Sequence, residues 1–335
     1  MPPTDGRVVD ARNRSDTGAR TAWQAGNVPS LDPADLFEVI GELRPDDREL
    51  VLIEALDGFV DAGSAKRGLR EHLLGSLPSD PLVRFDVDVF HDYRARRPAM
   101  VFNADHWESY DAPTLEIRKV TDETGRPFLM LVGSEPDVLW ERFVAGAARC
   151  AHRFGVGLTV GLNAIPMGVP HTRPAGITAH GNRREVLALY PPWIQTVTVP
   201  ASIGHLLEYR QATGGGSVLG FAVHVPHYLA QAAYPPASLA LARAVEGATG
   251  LTLVGARLED AAREATAAID GLVAQSDELR ELVAGLETQY DGFVAGRAGS
   301  VPVDDSSLPT GDELGAELER FLAEHNKRGR DDPRT

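Results

Sequence analysis

The sequence predicts an α/β protein carrying an appended helical region, and three observations point there. Apolar runs of strand length recur at residues 50–56, 156–162 and 217–225, the pattern of strands buried on both faces of a sheet. Segments with apolar residues three and four apart lie between them, the period of a helix packed on one side. From residue 258 to 293 the pattern turns into a sustained heptad-like stripe, as in an interaction helix or helical hairpin.

Length and composition bound the rest. A chain of 335 residues can bury a large core, either as about two domains or as one α/β domain with a helical addition. A net charge of −15 argues against a nucleic-acid surface, which needs clustered cations, and against an anionic membrane. The single cysteine allows no intramolecular disulfide and suits a reducing compartment. No apolar run reaches the ~18–20 residues of a membrane span. The start, MPPTDGRVVDARNRSDTGAR, lacks the apolar core of a signal peptide. A cytoplasmic location is expected.

Residues 1–29 are polar and mixed in charge, with almost no large apolar side chain before Trp23, and read as a disordered tail. At Asp32-Pro33 a cap followed by proline suggests a short helix with Leu36, Phe37 and Ile40 on one face, closed by Pro45. Leu50 to Leu56 is a buried strand in which Glu54 is the odd member. The loop Asp57-Gly-Phe-Val-Asp61-Ala-Gly63 follows, with Ser64 as the expected cap of a helix to about Leu74. Strand, glycine loop and capped helix outline an anion cradle, but Asp57 and Asp61 oppose a phosphate and favour a structural turn or partner surface.

Leu82 to Val89 reads as a strand, and His91 to Arg97 as a basic, solvated loop with surface ion pairs. Leu115–Val120 and Pro127–Val132 form a hairpin around Asp122 to Gly125. A helix spans Asp137 to Phe154 and holds Cys150 as a small buried thiol. Beyond the strand 156–162 comes a loop to residue 181, then the β-branched run Gln195 to Val199 as a further strand. Ser202 caps a helix through Tyr209, Ser217–Val225 is another buried strand, and Pro235–Thr249 is a helix stopped by Gly250. The stripe 258–293 breaks near Asp270-Gly271 or Ser276, favouring a hairpin. The expected division is a core over 30–255, a helical element over 256–298, a linker over 299–310, a short helix over 311–325 and a disordered tail over 326–335.

The working end is placed at Gly157 to Gly181, reading GLTVGLNAIPMGVPHTRPAGITAHG, an apolar strand running into a Pro- and Gly-stiffened polar loop. In α/β sheets such strand ends bind ligands and partners. The recognition candidates are Asp57, Asp61, Met167, His171, Arg173 and His180. His171, Arg173 and His180 could hold an anion or polarise a carbonyl, or merely bond backbone carbonyls and carboxylates such as Asp57. Glu54 and Asp57 could form an acid/base pair if both face one pocket. His224-Val-Pro-His227 lacks the further ligands of a metal site. No serine lies in a nucleophile elbow. No catalytic residue, cofactor or metal is assigned.

The segments GLNAIPMGVPHTRPAG, LDGFVDAG, FAVHVPHYLAQAAYPPASL, LETQYD and LPTGDELGAELERFLAE resemble the actinobacterial branch of the proteasome assembly chaperone 2 family over about residues 34–325. The resemblance implies a three-layer α/β/α sandwich like the phosphorylase/hydrolase-like fold, with a helical C-terminal region. It also implies a homo-oligomer, with a trimer as one form in that family, and proteasome subunits or another protein complex as partners. Chaperones of this kind that dock by their tails end in hydrophobic–Tyr–any, whereas this chain ends Pro-Arg-Thr, so tail docking is not expected. The alternative is a small-molecule binder, or a hydrolase- or phosphorylase-like enzyme using loops 57–63 and 165–181. A deep pocket of ~300 Å3 or more with convergent polar groups would favour that alternative, and a flat or partner-covered surface the assembly role.

Overall fold

The structure, a computed structural model, describes residues 36–43, 49–193 and 196–298. The expected N-terminal tail, the linker, the helix over 311–325 and the final tail lie outside the described residues.

In chain order the elements are β1 (Phe37–Val39), β2 (Leu50–Leu56), α1 (Ala65–Ser76), β3 (Ser79–Phe85), α2 (Val87–Phe90), β4 (Met100–Asn103), β5 (His106–Tyr110), β6 (Leu115–Thr121), β7 (Pro127–Gly133), α3 (Trp140–Arg153), β8 (Val156–Met167), β9 (Ile177–Gly181), α4 (Arg184–Leu187), α5 (Ile203–Thr213), β10 (Val218–Pro226), α6 (Pro235–Thr249), α7 (Ala256–Ala274) and α8 (Asp277–Ala298). Eight strands make one mixed sheet in the order β1-β3-β6-β7-β2-β8-β10-β9. Its centre, β7-β2-β8-β10, is parallel, and the outer pairs are antiparallel.

Alternation along the central strands divides the core between two faces. In β2, Val51, Ile53 and Ala55 join one cluster with Leu69 of α1 and Leu241 of α6. Leu50, Leu52 and Leu56 join the other, with Phe143 of α3 and Leu207 of α5. Helices therefore cover both faces, giving the three-layer α/β/α arrangement.

Several expectations are corrected. Phe37 enters β1 rather than a helix: the three residues of β1 pair with the open edge of β3, and Leu36 is buried just before them. The strand expected at 82–89 begins at Ser79 and ends at Phe85, where Asp86 caps the short α2 through Asp88 N–H. Ser64 lies in the left-handed region and makes no side-chain cap. Asp61 replaces it, its two carboxylate oxygens accepting from Lys66 N–H at 2.8 Å and Arg67 N–H at 2.9 Å. Residues 196–200 are not a strand. The stretch read as a loop after residue 162 is largely sheet: β8 continues to Met167 along β10, and β9 pairs antiparallel with β10. The hairpin β4–β5 was not anticipated and forms its own two-stranded sheet. The helical stripe is two helices, broken at Gln275-Ser276.

Candidate functional site

Chain topology sets the site. From β2 the chain leaves through α1 toward β3, on the β7 side of the sheet. From β8 it goes on to β10, on the other side. Adjacent parallel strands whose connections part in this way open a crevice beyond their carboxyl ends. The crevice holds a cavity of about 50 Å3 lined by Glu54, Asp57, Lys66, Glu135, Asn163 and His205, among others.

Two of these groups are ionisable and almost wholly buried: Glu54 is 4% exposed and Lys66 5%. Glu54 Oε1 accepts from Leu56 N–H at 2.9 Å. Its other oxygen faces Gly204 of α5, where a Cβ would come within 2.6 Å. Burial pushes the Glu54 carboxyl above its ordinary range, against the pull of Lys66. Lys66 Nζ lies under Gly58, 3.1 Å from where a Cβ would stand, and makes no ion pair among the described residues. Burial, with the neighbouring His180, lowers the pKa of His205. Glu135 caps α5 by accepting from Ile203 N–H at 2.7 Å. Ser202 Oγ accepts from His205 N–H at 3.2 Å, the cap read from the sequence.

Beside this cavity an open cleft of about 380 Å3 is lined by Asp57, Arg70, His91, Arg96, Arg97 and Ser134, among others. It contains the basic loop, whose charges are partly met internally. Arg96 pairs with Asp137 at 2.8 Å, and His91 Nε2 donates to Arg96 O at 2.8 Å.

The six residues singled out in the sequence lie against different parts of the fold. Asp57 accepts from Arg70 at 2.8 Å and lines both cavities, and Asp61 caps α1. Loop 57–63 does meet β8, through a bridge between Asp61 and Ala164. His180 Nδ1 bonds Glu208 of α5 at 2.8 Å. Met167 ends β8, half-buried, opposite Pro226. His171 and Arg173 are covered by the C-terminal helices. Tyr228 O–H donates to His171 Nδ1 at 2.7 Å, and Nε2–H then donates to Asp270 of α7 at 3.2 Å. Arg173 holds Asp291 and Glu287 of α8. Tyr290 O–H reaches Pro174 O at 3.3 Å, and Phe293 stacks on Trp193 at 4.6 Å. The Pro-His-Thr-Arg-Pro loop is thus a seat for α7 and α8. Glu54 and Asp57 do share a cavity, although Asp57 is engaged by Arg70.

His224 is buried, its Nε2 2.8 Å from Thr178 Oγ1. Among the described residues no group of three His, Cys, Asp or Glu could hold a metal. Lys66, Glu135 and His205 were missed, because nothing in the sequence marks a lysine in a helix's first turn as buried. An ionisable residue inside an apolar strand, Glu54, was the one available signal.

The hairpin β4–β5 is a second feature. Every residue of both strands is exposed. They include Met100, Val101, Phe102, Trp107 and Tyr110, and the Phe102 and Trp107 rings meet edge to face at 5.2 Å.

Residues 55–273 match the model of the PAC2 family. No curated protein matches the chain. Among solved structures, a Mycobacterium tuberculosis protein of unknown function, Rv2714, is 44% identical, covers 78% of this chain and 91% of its own, and superposes with a TM-score of 0.74. A Corynebacterium glutamicum protein of unknown function is 35% identical over 77% of this chain and 98% of its own, also at 0.74. The M. tuberculosis proteasome-assembly chaperone homologue Rv2125 is 25% identical over 70% of this chain and 100% of its own, at 0.64.

Proposed function

The chain belongs to the PAC2 family, and on that premise we propose that it is a cytoplasmic, homo-oligomeric and non-catalytic binding protein that helps assemble a protein complex. Its similarity to a proteasome-assembly chaperone homologue supports proteasome subunits as the first partners to test. No described helix is long and apolar enough to cross a membrane.

The hairpin β4–β5 carries the reading. An isolated two-stranded hairpin is marginal in water, and a cluster of exposed aromatic and aliphatic side chains on a soluble protein marks an interaction surface. Phe102 is 56% and Trp107 63% exposed, so the hairpin contributes to recognition far more than to the core. Exposed Phe59 and Val60, on the loop after β2, extend the same recognition role to the sheet end. Helices α7 and α8, with Leu272 and Val294 exposed, serve as the self-assembly element.

The test compares wild type with a Phe102→Ser/Trp107→Ser variant in capturing purified proteasome α-subunits. Binding by wild type and its loss in a variant that keeps its melting temperature support the role. Equal binding by both removes the hairpin from it.

A further inference from the structure

The crevice between β2 and β8 holds a buried lysine, Lys66, that acts on the Glu54 carboxyl yet makes no ion pair among the described residues. It is 5% exposed and lines the cavity. Two of the three nearby carboxylates are engaged elsewhere. Asp57 accepts from Arg70 at 2.8 Å and lies 3.8 Å from Arg67, and Glu135 is bound to Ile203 N–H. Glu54, 4% exposed, turns one oxygen toward Gly204 and feels the charge of Lys66 without forming an ion pair with it. A buried charge outside an ion pair is costly, and a ligand of opposite sign offsets that cost.

We propose that this crevice binds the carboxylate of a small organic acid, with Lys66 as its cation and the Gly204 amide as a further donor. Gly204 is the second residue of α5, where helix geometry leaves its N–H without an intrahelical acceptor, and it lines the cavity. One available cation selects a monoanion. A phosphate or sulfate dianion would also confront Asp57 and Glu135. Size agrees: a water needs roughly 10–15 Å3 of such space, so a cavity of about 50 Å3 takes a group of acetate or propanoate dimensions. Glu54, kept toward its neutral form by burial, offers an O–H to the second carboxylate oxygen. The Asn163 amide lines the same space. The inference is independent of the hairpin's role in assembly, although Phe59 and Val60 also line this cavity.

Thermal unfolding of the full chain tests the site, using sodium acetate and sodium propanoate against sodium chloride and acetamide at matched ionic strength. Wild type should show a saturable rise in melting temperature with the two acids only. Lys66→Met keeps the aliphatic stem without the charge and should weaken the apparent affinity by about tenfold or more. Glu54→Gln, still a donor, should retain binding. An equal response of wild type and Lys66→Met, or no saturable response to either acid, overturns the proposal.

Discussion

Arg173 and Asp291 face each other in a two-pronged contact, Nε to Oδ1 at 2.8 Å and the terminal nitrogen to Oδ2 at 2.7 Å. The contact joins the loop after β8 to α8, 118 residues apart in sequence. Planar guanidinium matched to planar carboxylate fixes orientation as well as distance. The residues that stand out most in the sequence as a recognition motif are therefore occupied within the chain, and they set where the C-terminal helices lie.

Releasing that contact should loosen α8 and leave the sheet intact. Asp291→Ala is expected to speed hydrogen exchange in α8 without altering exchange in β2 or β8. Both partners are partly exposed, so the change in global stability should be small. The Arg173 hydrogen bond holds the Asp291 carboxyl below its ordinary value of 3.8. The contact is thus fully present above that value and lost as pH falls through the depressed one. Exchange in α8 should accelerate on acidification, and Asp291→Ala should remove that dependence.

Glu54 has the opposite sign. Burial raises its folded-state pKa above the ordinary 4.5, so the folded protein binds this proton more tightly than the unfolded chain. Its contribution is greatest at low pH and falls as pH rises from 4.5 through the raised value. Glu54→Gln should flatten that part of the stability–pH curve and raise the melting temperature at neutral pH. A variant curve parallel to wild type would refute the assignment.

Phe143 closes the core on the α3 side. It is fully buried, with its ring 4.9 Å from that of Phe85 and 5.3 Å from that of Phe90. Truncation to alanine removes an aromatic wall and leaves a cavity. Urea unfolding should register a loss of about 3–5 kcal/mol.

Cys150 is buried on α3, and burial pushes its thiol up to about 12. Native protein at pH 8 should resist iodoacetamide, with labelling appearing only as denaturant unfolds the chain. Rapid native labelling would contradict this packing.

Legibility in the sequence followed the range of the interactions. Leu50–Leu56 and Pro235–Thr249 were readable to the residue, because a doubly buried parallel strand and a helix bounded by proline and Gly250 carry their signals locally. β9 was hidden since its register depends on β10, some forty residues later, and its own side chains are only half-buried. β4 and β5 have no buried face, so no alternation between core and solvent announces them. At the site, Glu54 stood out against an apolar background. Lys66 looked like any surface lysine, because its burial comes from α1 meeting the loop at Gly58. His171 and Arg173 drew attention as a motif, but their partners Asp270, Glu287 and Asp291 sit in a stripe whose polar face reads as solvated.

The most direct measurement is quantitative capture of purified proteasome α-subunits by wild type and by the Phe102→Ser/Trp107→Ser variant, with folding of each checked by its melting curve. The account predicts that wild type retains α-subunits and that the equally stable variant does not. Absence of α-subunit binding by the wild-type protein would contradict a role in proteasome assembly.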